Sequence, residues 1–165
     1  MTVHGQRRYG IASEPAPEWG VTQWFNLPNG QTALDLENLT AGVIYLYCFQ
    51  SWCPGCHSHG FPTLLDVKDS LADEDVAFVA IQTVFEGFEV NTLEGAKKVA
   101  DRYELDIPFG HDTGPDGRLS LVMQRYRTGG TPWTVLIDRR RRVRFNGFQA
   151  DSDDLEGMIT QLLAA

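Results

Sequence analysis

Val43-Ile44-Tyr45-Leu46-Tyr47-Cys48-Phe49-Gln50-Ser51-Trp52-Cys53-Pro54-Gly55-Cys56 is the stretch that decides the fold. Its first seven residues are apolar without a break and rich in β-branched and aromatic side chains. So short a run predicts a strand buried on both faces, because a strand with one wet face would alternate with polar residues. The last four residues set two thiols three positions apart, after that strand and at the start of a helix expected over 54–72. Pro54 suits the first helical position, where its missing N–H is no loss. Unpaired N–H groups and the positive end of the helix dipole then face Cys53 and favour its thiolate, below the free-thiol pKa of ~8.5. A thiolate is the attacking species in disulfide exchange. Cys56, one turn on, is near enough to close a disulfide and release a mixed-disulfide intermediate. The bland alternative is two incidental cysteines at a helix start.

Outward from this segment, Phe61, Leu64, Leu65, Lys68 and Leu71 carry the helical spacing, with Gly60 and Pro62 expected to kink it. A second buried strand follows at 76–81. Thr92 is placed to cap a helix whose apolar face is Leu93, Ala96, Ala100 and Tyr103. Ile107-Pro108-Phe109 opens a third strand, and a short helix is expected over 118–126 after the Gly114-Pro115-Asp116-Gly117 turn. Two strands at 134–137 and 143–148 flank a basic turn. Leu155, Met158, Ile159, Leu162 and Leu163 define the last helix, with Asp151, Asp153 and Asp154 at its positive end. Upstream, Trp24, Phe25 and Leu27 lead into Pro28-Asn29-Gly30, read as a short hairpin. Residues 1–20 are read as an extended segment draped over a domain at 21–165. Alternating strands and helices predict an α/β fold, a mixed central sheet with helices on both faces.

Composition narrows the function. The chain has 165 residues and a net charge of −8, which argues against wrapping a nucleic-acid backbone. The arginines at 139–142 and Arg144 are read as a solvated turn. No apolar run reaches the ~18 residues of a membrane span. Residues 1–13 hold no apolar leader core, so the expected location is the cytoplasm, with neither membrane nor nucleic acid as partner. In a reducing compartment Cys48, Cys53 and Cys56 are too few for a disulfide scaffold and suggest redox or metal chemistry.

Phe49-Gln50-Ser51-Trp52-Cys53-Pro54-Gly55-Cys56 resembles the active site of thioredoxin-fold proteins, particularly the TlpA/ResA-like thiol–disulfide reductases and related redoxins. Gly114-Pro115-Asp116-Gly117, Tyr126, Gly130-Thr131-Pro132 and Val135-Leu136-Ile137-Asp138 extend the likeness across most of the chain. The resemblance implies a thioredoxin-like fold and a thiol–disulfide oxidoreductase needing no cofactor. Its substrates would be protein or small-molecule disulfides and its electron donor an unidentified thiol. It implies a cis peptide before Pro132, facing the cysteine pair, with Gly130 and Thr131 offering backbone to an extended substrate. Trp52 and Trp133 adjoin the two active-site loops, and each would either line an apolar contact surface for substrate or pack into the core. The sequence departs from the family at three points. Tyr47 stands where thioredoxins proper carry a buried Asp six residues before the first Cys. The family's kinking proline lies five residues after the second Cys, whereas Pro62 lies six after Cys56. Residues 85–91 form an added stretch. Within it Glu86, in competition with Glu89, is the candidate acid to take the Cys56 proton, partly buried and raised in pKa, the alternative being a solvated loop glutamate.

Rival readings attach to the same residues. Cys53-Pro54-Gly55-Cys56-His57 also spells a c-type haem attachment pattern, which would call for export. His57 and His59 with the thiols suggest a non-enzymatic metal-binding module, but on a helix the two rings point ~200° apart. No metal site is assigned, and both histidines are expected to be exposed. A peroxiredoxin-type thiol peroxidase would need Pro and Thr where Leu46 and Gln50 stand. A partner domain without catalysis is the last alternative. Cys48 is read as a packed, inert thiol.

Overall fold

The computed structural model describes residues 9–165; the part of the expected extended segment at 1–8 lies outside the described residues. Strands β1 (Gln23–Phe25), β2 (Val43–Phe49), β3 (Val76–Thr83), β4 (Phe109–Asp112), β5 (Trp133–Ile137) and β6 (Val143–Phe148) form one sheet in the order β1-β4-β3-β2-β5-β6. β2, β3 and β4 run parallel, while β1, β5 and β6 are antiparallel to their neighbours. Four helices join them: α1 (Phe61–Ser70), α2 (Leu93–Arg102), α3 (Leu121–Tyr126) and α4 (Ser152–Ala164). This is the thioredoxin-like arrangement of a mixed sheet with helices on both faces.

β2 is central, and all seven of its residues are buried. Val43, Tyr45, Tyr47 and Phe49 enter the core under α1, α2 and α4. Ile44, Leu46 and Cys48 enter the second core, which is closed by α3 and by Trp19, Val21, Leu34 and Leu36. A strand covered on both sides needs apolar side chains at every position, which accounts for its unbroken run. Each large side chain so buried contributes about 1.5–3 kcal/mol.

The expected hairpin at Pro28-Asn29-Gly30 is not formed. Those residues make a 3-10 turn, and β1 pairs instead with β4, its Trp24 opposite Gly110. A hairpin needs a second strand next in sequence, whereas β4 supplied an open edge from 84 residues further on. Trp19, read as part of the draped segment, is fully buried and belongs to the core. The third helix starts at Leu121 rather than 118, because Ser120 caps it: its hydroxyl accepts from the Met123 N–H at 3.0 Å. Thr92 caps α2 as expected, its hydroxyl accepting from the Gly95 N–H at 3.0 Å.

Helical structure starts at Pro54, and the five residues Cys56–Gly60 wind as a π-turn before α1 begins. The Phe61 N–H donates to the Cys56 carbonyl, five residues back. A π-turn holds one residue more than an α-turn. Pro62 lies one position later than the family's proline, and the wider turn takes up that residue. Pro62 is the second residue of α1 but lies inside a helical run that starts at Pro54, and that run continues through it unbroken.

Candidate active site

Cys53 and Cys56 are paired as a disulfide at the C-terminal end of β2, with their Cα atoms 5.3 Å apart. Cys53 keeps 8% exposure and Cys56 none, as expected of an attacking and a resolving thiol. The Cys56 N–H points at Cys53 Sγ, 3.1 Å away. This is the helix-start amide that favours negative charge on that sulfur once the pair is reduced. The carbonyl oxygen of Thr131 lies 3.5 Å from the same sulfur. The Thr131–Pro132 peptide is cis, and Gly130 takes a φ of 154°, a backbone conformation that suits glycine. Thr131 and Pro132 thus stand against Cys53 at an open groove of about 560 Å³.

Trp52, Phe85, Glu86, Phe148 and Gln149 also line that groove. Trp52 and Phe148 are about half exposed, at 50% and 54%, so each offers an apolar face beside Cys53. The Trp52 ring lies against Gly87, where a Cβ would come within 2.9 Å of it. Trp133 is buried at 7% and donates through Nε1 to Asn146 Oδ1 at 2.6 Å, so it is core and not contact surface. Glu86 departs from expectation. It lines the groove but is exposed, not partly buried, because residues 85–91 carry it outward from the end of β3.

Tyr47 fills the place of the thioredoxin Asp. It is buried, its hydroxyl donates to the Cys56 carbonyl at 3.2 Å, and burial pushes its pKa well above 10.0. It is therefore a structural donor and no base at neutral pH. A Cβ on Gly60 would overlap the Tyr47 hydroxyl and come within 2.8 Å of Pro132 Cβ. Gly60 thus makes room for both. Cys48 points into the opposite core, fully buried and free, and burial pushes its thiol well up.

The histidines are not simply exposed. His57 Nε2 donates to the Ser51 carbonyl at 2.6 Å, while its Nδ1 meets the Tyr103 hydroxyl at 2.6 Å. His59 Nε2 donates to the Ala150 carbonyl at 2.9 Å. Both rings are committed to other elements, and among the described residues no cluster of three potential metal ligands exists.

Sequence reasoning missed the buried amides that hold this loop. Gln50 Oε1 accepts from the Phe85 N–H at 3.1 Å and from the Glu86 N–H at 3.4 Å. Asn91 Oδ1 accepts from the Trp52 N–H at 3.1 Å, and its Nδ2 donates to the Glu86 carbonyl at 3.0 Å. Gln82 accepts from the Ser51 N–H at 2.8 Å. Their signal was present: Gln50 and Gln82 each close an apolar strand run, where a polar residue must find partners.

The redoxin family profile matches residues 12–162. Among solved structures, the thioredoxin-like superfamily protein SPOA0173 is 36% identical, with a TM-score of 0.83 over 92% of this chain and 97% of that one. A thiol–disulfide isomerase from Corynebacterium glutamicum is 30% identical, with a TM-score of 0.81 over the same shares. No curated protein sequence matches. Profile, fold and the Cys53–Cys56 pair agree: the chain belongs to the redoxin family of thioredoxin-like thiol–disulfide oxidoreductases.

Proposed function

We propose that the chain reduces protein or small-molecule disulfides in the cytoplasm, with Cys53 as attacking and Cys56 as resolving thiol. The Cys53 thiolate forms a bond to one substrate sulfur, and the other substrate sulfur leaves as a thiolate. Cys56, deprotonated, then displaces the bound sulfur and closes the internal disulfide. The substrate gains two electrons and the pair loses them; a thiol donor restores the dithiol. The observation that carries this reading is the Cys56 N–H directed at Cys53 Sγ beside an open groove. Gly130 and Thr131 offer backbone for an extended substrate strand, and Trp52 and Pro132 flank the sulfur.

Glu86 is the one carboxylate among the residues lining the groove, and it is the candidate acceptor of the Cys56 proton. The test is disulfide reduction by wild type, Cys53→Ser and Cys56→Ser. Cys53→Ser should lose turnover, and Cys56→Ser should accumulate a mixed disulfide with substrate. Turnover retained by Cys53→Ser would refute the assignment. Glu86→Gln should slow resolution of the mixed disulfide and leave Cys53 alkylation unchanged; wild-type resolution would remove Glu86 from the proton path.

A further inference from the structure

Gln82 sits on β3, fully buried, with every hydrogen-bonding position of its amide in use. Its Oε1 accepts from the Ser51 N–H at 2.8 Å and from the Ser51 hydroxyl at 2.5 Å. Its Nε2 donates to the Thr92 carbonyl at 2.9 Å and to His111 Nδ1 at 3.0 Å. Two of these partners fix which way the amide points, since a backbone N–H only donates and a carbonyl only accepts. His111 must then present a lone pair on Nδ1, as a neutral ring protonated on Nε2. A proton on Nδ1 would set N–H against N–H. Gln82 cannot answer by turning over, because its oxygen would then face the Thr92 carbonyl and its NH2 the Ser51 N–H.

We propose that Gln82 is a positioning residue for the Ser51-Trp52-Cys53 turn, held in register by neutral His111, so that protonating His111 loosens the turn and slows disulfide exchange. The other histidine at this turn behaves differently. His57 grips the Ser51 carbonyl through Nε2, and its Nδ1 faces a Tyr103 hydroxyl that can donate or accept. His57 therefore keeps both bonds in either protonation state. His111 cannot.

The surroundings of His111 leave it neutral near pH 7. Burial lowers its pKa from 6.5, and the charge of Asp112 beside it on β4 opposes this. The Asp112 carboxylate is itself taken up by the N–H groups of Gly114, Leu121 and Val122 and by the Ser120 hydroxyl. Gln23, opposite on β1, and Gln82, opposite on β3, are neutral. The Cys48 thiol on β2 is held protonated by burial. On α2, Glu94 is turned to Lys97 at 3.7 Å.

The effect on rate rests on Cys53 being the attacking thiol, but the test below does not. Amide hydrogen exchange at Ser51 and the His111 ring signals are followed by NMR on the oxidised protein, from about pH 8 down to about pH 4.5. Ser51 protection, corrected for intrinsic exchange, should fall roughly tenfold, the worth of one buried hydrogen bond, with the midpoint of His111 titration. His111→Gln, which keeps an acceptor but cannot titrate, should abolish that step. The proposal is overturned if His111 titrates without change at Ser51, if His111→Gln keeps the step, or if the protein unfolds before His111 takes a proton. A dithiol assay on the same two proteins reads the consequence. The wild-type rate, divided by the fraction of Cys53 thiolate from alkylation, should show the same step, and His111→Gln should not.

Discussion

Where β2 and β3 end at the thiols, the chain is held by neutral amides; at the opposite end of the sheet, around the turn from β5 to β6, it is held by charges. Gln50, Gln82 and Asn91 fix residues 51–52 and 85–86. At the far end the Asp138 carboxylate accepts from the N–H groups of Arg140 and Arg142, at 2.9 and 3.0 Å, and from the Arg144 guanidinium at 3.2 Å. Arg141 donates to the carbonyls of Leu39, Ala41 and Asp138. The amides position a reactive sulfur without themselves adding charge beside it. A charge a few ångströms away would shift the thiol pKa, whereas a satisfied amide holds geometry and leaves the thiolate to the helix terminus. The far end has no reacting atom, and there arginines and an aspartate can serve as struts.

The sharpest way to break this comparison is catalytic. Cys53→Ser should abolish disulfide reduction, while Arg140→Ala, exposed at the far turn, should reduce disulfides at the wild-type rate. A large loss in Arg140→Ala would show that the two ends are not independent.

Next in size is Gly60→Ala. The added methyl overlaps the Tyr47 hydroxyl and crowds Pro132, so the substitution should cost about 1–3 kcal/mol in urea unfolding. Tyr47→Phe removes the overlapping oxygen, and the double variant should cost less than the sum of the singles. Strict additivity would mean the methyl is accommodated elsewhere.

Acid should then separate the two ends by pH window. His111 binds its proton less readily in the folded chain than in the unfolded one, whose ordinary value is 6.5. Its contribution is therefore complete above about pH 6.5 and declines as pH falls below it. His111→Gln should flatten the urea midpoint through that window. Asp138 acts lower. Burial alone would raise its carboxyl, but the amides of Arg142 and Arg140 and the Arg144 side chain outweigh this and hold it below 3.8. Its contribution is complete above about pH 3.8 and is lost as pH drops through the depressed value. Asp138→Asn should flatten that lower window, with the smallest effect of the series, because Arg144 is half exposed and its pair is screened by solvent.

The legibility of the chain follows the range of the forces involved. β2, the Thr92 cap and the apolar faces of α2 and α4 were plain in the residues, because periodicity and caps are local. The cysteine pair was plain as well, since four consecutive residues define it. The cis bond at Pro132 came through resemblance, not through spacing. β1 was misread because its partner β4 is distant in sequence. His57 was misread because Ser51 and Tyr103, which hold it, come from different elements. Glu86 was expected in a half-buried place, but the path of residues 85–91 depends on Gln50 and Asn91 behind them.

By itself the sequence determined a strand buried on both faces, a helix starting at Pro54, and two thiols set one turn apart where the helix dipole favours a thiolate. Those features need only neighbours along the chain. Tertiary structure decided the rest: that Thr131 and Pro132 stand against Cys53, that Tyr47 takes the Cys56 carbonyl, and that Gln82 joins Ser51 to Thr92 and His111. Each of these contacts joins residues that are far apart in sequence or fixed by a turn no periodicity announces. A buried polar group takes whichever partners packing brings within reach, and it must take some, because leaving it unpaired costs more than the bond returns.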